Sequence, residues 1–395
     1  MKNLTAKLFP FCAVLLLAVR LVSAQSADRA LFNAAQSDSV SGVKAALKNG
    51  ANINARDEDG RTALMYAALF FNTNPDVVKT LIGAGANVNA KDEGGSTALM
   101  YSAGANTNPD VVKALIAAGA DVNAKNDSGT TILMCAATGN ANLDIAKTLI
   151  DAGADVNGKR ENGITVLMNA IEKKANLNVV RFLIDEGANV NAKTKHGATA
   201  LMYAANANTN PDIVIALIGA GADINIKEEN GRTALTYAVA GNTNPDVAKT
   251  LIDAGADVNA KDQKSKTVFM YAAEYNKNPD VLKTLINMGA NVNARNEDGL
   301  TALMYAAGDN SNPDVIKALI AAGADVNARS NYGITVLMCA VFKNANPDIV
   351  KTLISAGANV NARDIKGRKA SDYLESNEKI SKTDDAYWTI RDLLY

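Results

Sequence analysis

Two short apolar stripes alternate with polar segments along most of this chain, and residues 199–232 show the pattern most clearly. The stripes are Leu201, Ala204 and Ala205, followed by Val214, Leu217 and Ile218. Within each stripe the spacing of three to four residues predicts one face of a short α-helix. The segment 222–231 is polar and predicts a projecting loop between this helix pair and the next.

Capping residues predict where these helices begin and end. Thr199 is suited to cap the first helix, and Asn210 caps the second with Pro211 at its first position, where no amide donor is needed. Gly221 is expected in a left-handed conformation past the end of the second helix. Asn-Gly at residues 230–231 is typical of a tight turn that closes the loop.

Near-copies of this unit fill the chain, and from Thr97 onward they follow at steps of 34 residues. Their first residues are Thr62, Thr97, Thr131, Thr165, Thr199, Thr233, Thr267, Thr301 and Thr335. A fixed period of this size is typical of a solenoid, because neither short helix can bury its apolar face without neighbouring repeats. We therefore predict an all-α solenoid of helix-turn-helix-loop units with terminal capping repeats.

The sequence of this unit resembles that of a known repeat family. T-A-L-M-Y-A-A, N-P-D-I-V and L-I-G-A-G-A-D-I-N resemble the ankyrin repeat, whose pattern reads T-P-L-H-x-A-A, V-V-x-L-L-L and G-A-D-V-N-A. The resemblance covers roughly residues 28–374. The sequence departs from the family at Ala200 and Met202, which replace Pro and His, and by one additional residue in the turn before Asn-Pro-Asp. The resemblance implies a protein partner bound on a concave face formed by loop tips and exposed first-helix ends.

The ends of the chain differ from its repeats. Lys2 and Lys7 precede an apolar run over 8–22 and the small-residue pattern at 22–24, which indicates a secretory signal peptide over 1–24. An uncleaved anchor is the alternative, although the run is short for a membrane span. We expect an exported protein, periplasmic or secreted.

We expect three further segments after the signal peptide. They are a degenerate capping repeat over 25–60, nine internal repeats over 61–368, and a C-terminal cap with a final helix over 369–395. In the final helix Asp384 is suited to the cap, and the predicted inner side carries Tyr387, Ile390, Arg391 and Leu394; a frayed tail is the alternative. Ser265 replaces the glycine that other internal repeats carry before their threonine, so its loop is expected to be strained or differently turned.

Charge and rare residues exclude several function classes. The formal charge is −1, and removal of residues 1–24 takes three basic residues and makes it −4, which argues against nucleic acid as a partner. Cys135 and Cys339 occupy the same position in two different repeats. We expect both to be thiols of the core that form no disulfide. His196 is the only histidine, which argues against a nucleophile-base pair and a multi-histidine metal site. The sequence also has no phosphate-binding or dinucleotide-binding glycine motif between a strand and a helix. We therefore expect no catalytic residues, no metal site, no cofactor and no small-molecule substrate.

The predicted function is a non-catalytic scaffold, monomeric, that binds another protein. Its candidate partner-binding residues are aromatics at positions where other repeats carry small or polar residues: Phe70, Phe71, Tyr275, Tyr332 and Phe342. The alternative is an inhibitor or immunity protein that masks a secreted enzyme or effector. A spacer that binds nothing is a third interpretation.

Overall fold

The computed structural model describes residues 26–69, 74–105, 108–139, 143–206 and 211–395. Two compact units divide the chain, Met1–Ala188 (unit 1) and Asn189–Tyr395 (unit 2). The predicted signal peptide and Phe70 and Phe71 lie outside the described residues.

Unit 1 contains ten described helices. They are α1 (26–36), α2 (Val40–Lys48), α3 (Ala63–Ala67), α4 (Pro75–Gly83), α5 (Ala98–Ala105), α6 (Pro109–Ala117), α7 (Ile132–Gly139), α8 (Leu143–Asp151), α9 (Val166–Glu172) and α10 (Leu177–Asp185). Each repeat contributes a first and a second helix. The first helices α3, α5, α7 and α9 pack in one row, and the second helices α2, α4, α6 and α8 pack in another.

Unit 2 repeats this arrangement with twelve described helices. They are α11 (Ala200–Asn206), α12 (Pro211–Gly219), α13 (Ala234–Gly241), α14 (Pro245–Asp253), α15 (Val268–Tyr275), α16 (Pro279–Asn287), α17 (Ala302–Asp309), α18 (Pro313–Ala321), α19 (Val336–Lys343), α20 (Pro347–Ser355), α21 (Ala370–Leu374) and α22 (Asp385–Leu394). Odd-numbered helices form the first-helix layer from α11 to α21, and even-numbered helices form the second-helix layer from α12 to α22. The all-α repeat solenoid predicted from the sequence is confirmed.

The core lies between the two layers of each unit. In the repeat that begins at Thr199, Leu201 and Leu217 are at most 1 % exposed. Ile213 adds to the second stripe as a buried residue, whereas Ile218 is only half-buried. Because each helix is only two or three turns long, burial against neighbouring repeats supplies most of its stability.

Threonine caps the first helices, and in α3, α15 and α19 the methionine that replaces the family histidine takes part in the cap. Thr335 Oγ1 accepts a hydrogen bond from the Met338 amide at 3.2 Å, and Met338 Sδ accepts one from the Thr335 amide at 3.4 Å. This pair satisfies two backbone donors that the start of a helix otherwise leaves free. The thioether therefore takes part in the cap while its methyl end stays in the core.

The second helices begin and end at the predicted residues. Asn312 Oδ1 accepts from the Asp314 amide at 3.0 Å, with Pro313 in the first turn. Asn210, the corresponding residue of the repeat at Thr199, lies outside the described residues. Gly221 has a φ of +85°, the left-handed conformation expected past a helix end.

A column of buried asparagines occupies the turn between the helices of unit 2. Asn310 Nδ2 donates to the backbone oxygens of Ala273 (2.9 Å) and Asn276 (2.7 Å), and its Oδ1 accepts from the Asn312 amide (3.0 Å). Asn242, Asn276, Asn344 and Asn377 continue the column. The column lies in the turn that carries the additional residue of the 34-residue period, so this longer turn is ordered by contacts with the preceding repeat.

A second row of asparagines crosses the exposed loops. Asn293 Nδ2 donates to the Gly323 oxygen at 2.9 Å, and its Oδ1 accepts from the Asp325 amide at 2.9 Å. Both rows bond one repeat to the next, but the first is buried and the second is exposed. The repeats are thus joined at two levels besides the apolar core.

Ser265 keeps the turn that glycines form elsewhere. Its φ is +59°, and the Asp262 amide bonds to the Lys266 oxygen at 3.0 Å, as the Glu228 amide bonds to the Arg232 oxygen. The loop is therefore turned in the same way as its neighbours, and of the two expected alternatives the strained turn is the one observed. A side chain at this φ leaves backbone strain at that position.

The C-terminal helix α22 extends the second-helix layer, where it packs against α20. Tyr387 and Ile390 are buried, Leu394 is half-buried, and Arg391 is exposed over the Trp388 ring at 4.3 Å. Asp384 makes no side-chain bond to the helix amides, and its Oδ2 instead accepts from the Ser381 amide at 2.6 Å. The predicted cap at Asp384 is therefore wrong in its detail, because the carboxylate turns toward the preceding loop.

Candidate functional site

One position of the first helix, four residues after the opening threonine, shapes the surface of unit 2. We name it the tyrosine slot because Tyr203, Tyr237, Tyr271, Tyr305 and, in the last repeat, Tyr373 occupy it. The Tyr271 hydroxyl donates to Asp262 Oδ2 at 2.8 Å, and the Tyr373 hydroxyl donates to Asp364 Oδ2 at 2.7 Å. These bonds tie the ring to the base of the loop before the helix, so the rings hold a fixed direction.

Cys339 interrupts this row between Tyr305 and Tyr373. A thiol is much smaller than a phenol, and an open groove of about 420 Å³ lies where the missing ring would be. We name it the Cys339 groove; it is lined chiefly by Met304, Tyr305, Met338, Cys339, Phe342 and Tyr373. Its volume is in the range of sites that take a small ligand or a large side chain.

The floor of the Cys339 groove is apolar in character. Met304 and Met338 are buried, and Phe342 meets the Tyr373 ring edge-on at 5.8 Å between ring centres. Cys339 is half-buried by surface area, yet protein atoms surround its thiol closely enough that burial raises its pKa to about 12. The thiol stays protonated at neutral pH, so it acts as an apolar wall and not as a nucleophile.

Charged side chains stand on two sides of the groove. Lys343 Nζ lies 3.3 Å from Asp309 Oδ2 on one side, and Arg368 Nη2 lies 2.9 Å from Asp364 Oδ2 on the other. Burial alone would raise the pKa of Asp364, but bonds from Tyr373, from Arg368 and from backbone amides lower it well below its ordinary value. Asp364 is buried and satisfied, whereas the Arg368 side chain is 46 % exposed.

The family comparison fits this geometry. The model of ankyrin repeats matches residues 10–92, 68–160, 142–228, 167–262, 201–296 and 269–364. The chain belongs to the ankyrin-repeat family. No curated protein matches it. Ankyrin repeats are protein-interaction modules, so the first-helix layer is the surface to compare with the predicted site.

The predicted residues Tyr275, Tyr332 and Phe342 of this ankyrin array lie at separate points of unit 2. Phe342 is 40 % exposed and borders the Cys339 groove. Tyr332 is 57 % exposed on the loop of the same repeat, where its backbone oxygen accepts from the Ile365 amide at 3.2 Å. Tyr275 is 54 % exposed at the end of α15. Phe342 thus contacts the Tyr373 ring, and Tyr332 bonds through its backbone to the exposed Ile365 of the next loop.

Tyr275 belongs to an aromatic cluster that already holds a cation. Lys266 Nζ lies 4.2 Å from the ring centres of Tyr271 and Tyr305 and 5.3 Å from that of Tyr275, and it pairs with Glu274. Burial is the main reason that the pKa values of Tyr275 and Tyr305 rise to about 12. In this ankyrin array Tyr305 joins the cluster to the groove, since it faces both.

Sequence reasoning missed the groove residues Tyr305, Arg368 and Tyr373 and the part played by Cys339. Each belongs to the regular pattern of its ankyrin repeat, so none stood out as an unusual aromatic. The order Tyr–Cys–Tyr in one slot of three consecutive repeats was the available signal. It becomes a groove only when the three first helices lie side by side.

The outer surface of the second helices carries charges that pair with each other. Lys283 Nζ lies 2.8 Å from Asp280 Oδ1, and Lys317 Nζ lies 2.9 Å from Asp314 Oδ1, each within one helix. Such exposed pairs contribute little to stability and keep the surface hydrated. The apolar opening of unit 2 at the Cys339 groove lies instead among first helices and loops.

Within the described ranges, no three His, Cys, Asp or Glu side chains are grouped to hold a metal ion. His196 is exposed and its Nδ1 lies 2.6 Å from Glu229 Oε2 on the next loop. In the same ranges no helix is both long enough and apolar enough to cross a bilayer.

Proposed function

We propose that this chain is an exported, non-catalytic ankyrin-repeat scaffold that binds a protein partner on the first-helix layer of unit 2. The observation that carries the proposal is the Cys339 groove, an apolar opening with the half-exposed Phe342 at its border. Aromatic side chains beside an apolar pocket are frequent anchors of protein interfaces. The charged pairs of the second helices support the same choice of surface, because hydrated charges oppose burial.

A photo-crosslinking amino acid at position 342 tests this surface in the native host. We expect a covalent product with one protein from position 342 and none from position 317, which lies on the outer surface of α18. Lys317 is the matched control because it is also exposed and also lies in a helix of unit 2. Products from position 317 alone, or equal products from both, would contradict the proposed surface.

Export rests on the basic residues and apolar run of the first 24 residues. We expect the mature protein to begin at Gln25, as determined by N-terminal sequencing of material purified from the native host. Recovery of a soluble chain that still carries Met1 would refute export by a cleaved signal peptide.

A further inference from the structure

We propose that the Cys339 groove takes one apolar side chain of an extended peptide segment, and that Arg368 takes a carboxylate beside that side chain in the segment. This inference rests on the proposed function and specifies the chemistry of the partner.

In the repeats before the groove, a side chain of the chain itself occupies the space between two slot tyrosines, whereas the groove has no such occupant among the described residues. Between Tyr271 and Tyr305, Lys266 lies against both rings and its charge is paired with Glu274. Between Tyr305 and Tyr373 the slot residue is Cys339, and the groove remains open to solvent. The two sites differ in composition as well, since a paired cation fills the first, whereas Leu300 and Ile334, at the position of Lys266 in the next two repeats, are apolar and line the second.

Its lining favours an aliphatic or aromatic apolar side chain. Its apolar lining includes the half-buried Leu300 and Ile334 and the buried Met304 and Met338. Phe342 and Tyr373 stand edge-on to each other and offer ring faces and edges to an inserted group. A leucine, methionine or phenylalanine side chain satisfies these contacts without leaving a polar atom buried.

The cations of the loop before α21 favour an acidic neighbour beside the bound side chain. Residues 363–369 carry four cationic side chains and the single carboxylate of Asp364. That carboxylate is 1 % exposed and accepts from Tyr373, from Arg368 and from two backbone amides. Its charge is therefore directed inward, so the exposed charges of the loop 363–369 are positive.

Arg368 is the cation placed to contact the bound segment. It lines the groove, its guanidinium lies 4.5 Å from the Tyr373 ring centre, and its side chain is 46 % exposed. A ring below and a carboxylate beside the guanidinium fix its orientation, so little conformational freedom is lost when it binds a second carboxylate. An aspartate or glutamate next to the apolar anchor supplies that group.

Selection from a random peptide library on the immobilised full chain provides the probe. We expect the enriched peptides to share an apolar residue next to an aspartate or glutamate. One enriched peptide is then synthesised and its affinity is measured by fluorescence anisotropy. Failure to enrich any peptide, or enrichment of peptides without acidic residues, would overturn the inference.

Cys339→Tyr fills the groove with the residue that the same slot carries in the repeats on both sides. We expect it to weaken peptide binding at least about tenfold. Cys135→Tyr makes the same change in the same slot of a unit 1 repeat and should leave the affinity unchanged. Phe342→Ala is a second test that removes a side chain of the border and leaves the slot untouched; it should also weaken binding. Equal affinity of the wild type and both groove variants would refute the site.

A double-mutant cycle tests the carboxylate. Arg368→Gln should weaken the acidic peptide about fivefold and leave unchanged the affinity of the same peptide with Asp replaced by Asn. Equal losses for both peptides would mean that Arg368 only supports the fold. A crosslink from position 342 together with failure of the peptide tests would retain the proposed function and reject this inference.

Discussion

Replacement of Asn310 by alanine should destabilise unit 2 by about 3 kcal/mol, because the side chain makes three hydrogen bonds worth roughly 1 kcal/mol each in a buried turn. Asn310 is 2 % exposed, and the oxygens of Ala273 and Asn276 to which it donates belong to the preceding repeat. Water cannot readily replace a donor at this depth, so the loss includes the cost of unsatisfied carbonyls. The Asn312 amide loses its acceptor as well.

Asn293 is the matched control. It also donates to one backbone oxygen and accepts from one amide of the next repeat, but it lies on an exposed loop. Water can take over both bonds, so Asn293→Ala should cost only about 0.5–1 kcal/mol. Urea unfolding followed by circular dichroism at 222 nm measures both changes, and hydrogen exchange of the Asn312 amide locates the first. Equal losses in the two variants would refute the reasoning that burial makes the inner column the stronger connection.

Asn310→Asp sharpens the test because it keeps the shape and removes the two donors. Burial opposite two carbonyl oxygens would raise the folded pKa of the new carboxyl above its unfolded value of about 3.9. The variant should therefore be most stable below that unfolded value and should lose stability as the pH rises through the folded value. At pH 7 it should be less stable than Asn310→Ala; the reverse order would show that the carboxylate escapes to solvent.

Three further outcomes follow from the structure. Ser265→Gly should stabilise unit 2 by roughly 1 kcal/mol, since φ is +59° there; an unchanged or lower urea midpoint would contradict the strain. Leu201→Ala removes a side chain that is 1 % exposed and should cost ~2–5 kcal/mol of unfolding free energy. Amide hydrogen exchange should then rise in the repeats near α11 before it rises at the two ends of unit 2. Burial raises the pKa values of Cys339, Tyr305 and Tyr373 to about 12 from ordinary values of 9.0 and 10.0. These groups stabilise the fold while they are protonated, so their full contribution should be present below pH 9 and should be lost as the pH rises toward 12. Urea unfolding midpoints measured at a series of alkaline pH values test this.

Local signals were sufficient to predict the helices. Threonine before the first helix, Asn-Pro-Asp before the second and glycine after it act through bonds within a few residues, and the structure has them where the sequence places them. Asp384 is the exception, because the Ser381 amide competes for its carboxylate. The family resemblance was likewise read correctly from a pattern that recurs in register.

The inner asparagine column was not predicted, because its burial depends on residues one repeat away. Asn310 reads in the sequence as one more small polar turn residue. Its two acceptors precede it by 37 and 34 residues, and both become neighbours only when α15 and α17 pack together. The same limit applies to Cys339, whose slot looks like an ordinary core position until Tyr305 and Tyr373 are placed on either side.

The effect of substituting one residue of the repeat pattern depends on whether that position faces solvent or neighbouring side chains. Ile215 stands where neighbouring second helices carry Lys249 and Lys283, yet it is 51 % exposed, so the exchange alters the solvent-facing surface without opening the core. Cys339 stands where the repeats on either side carry Tyr305 and Tyr373, so the smaller residue leaves a groove.

Cys135 makes the same change in unit 1, but the next slot there holds Asn169, whose Oδ1 accepts from Arg160 Nη2 at 2.7 Å. The thiol of Cys135 therefore has a polar neighbour on the side where Cys339 has the Tyr373 ring. The identity of a substituted residue thus does not by itself make a site in this array. The two neighbours of the slot decide whether the space that it leaves is apolar, and this is why Cys135→Tyr can serve as the control for Cys339→Tyr.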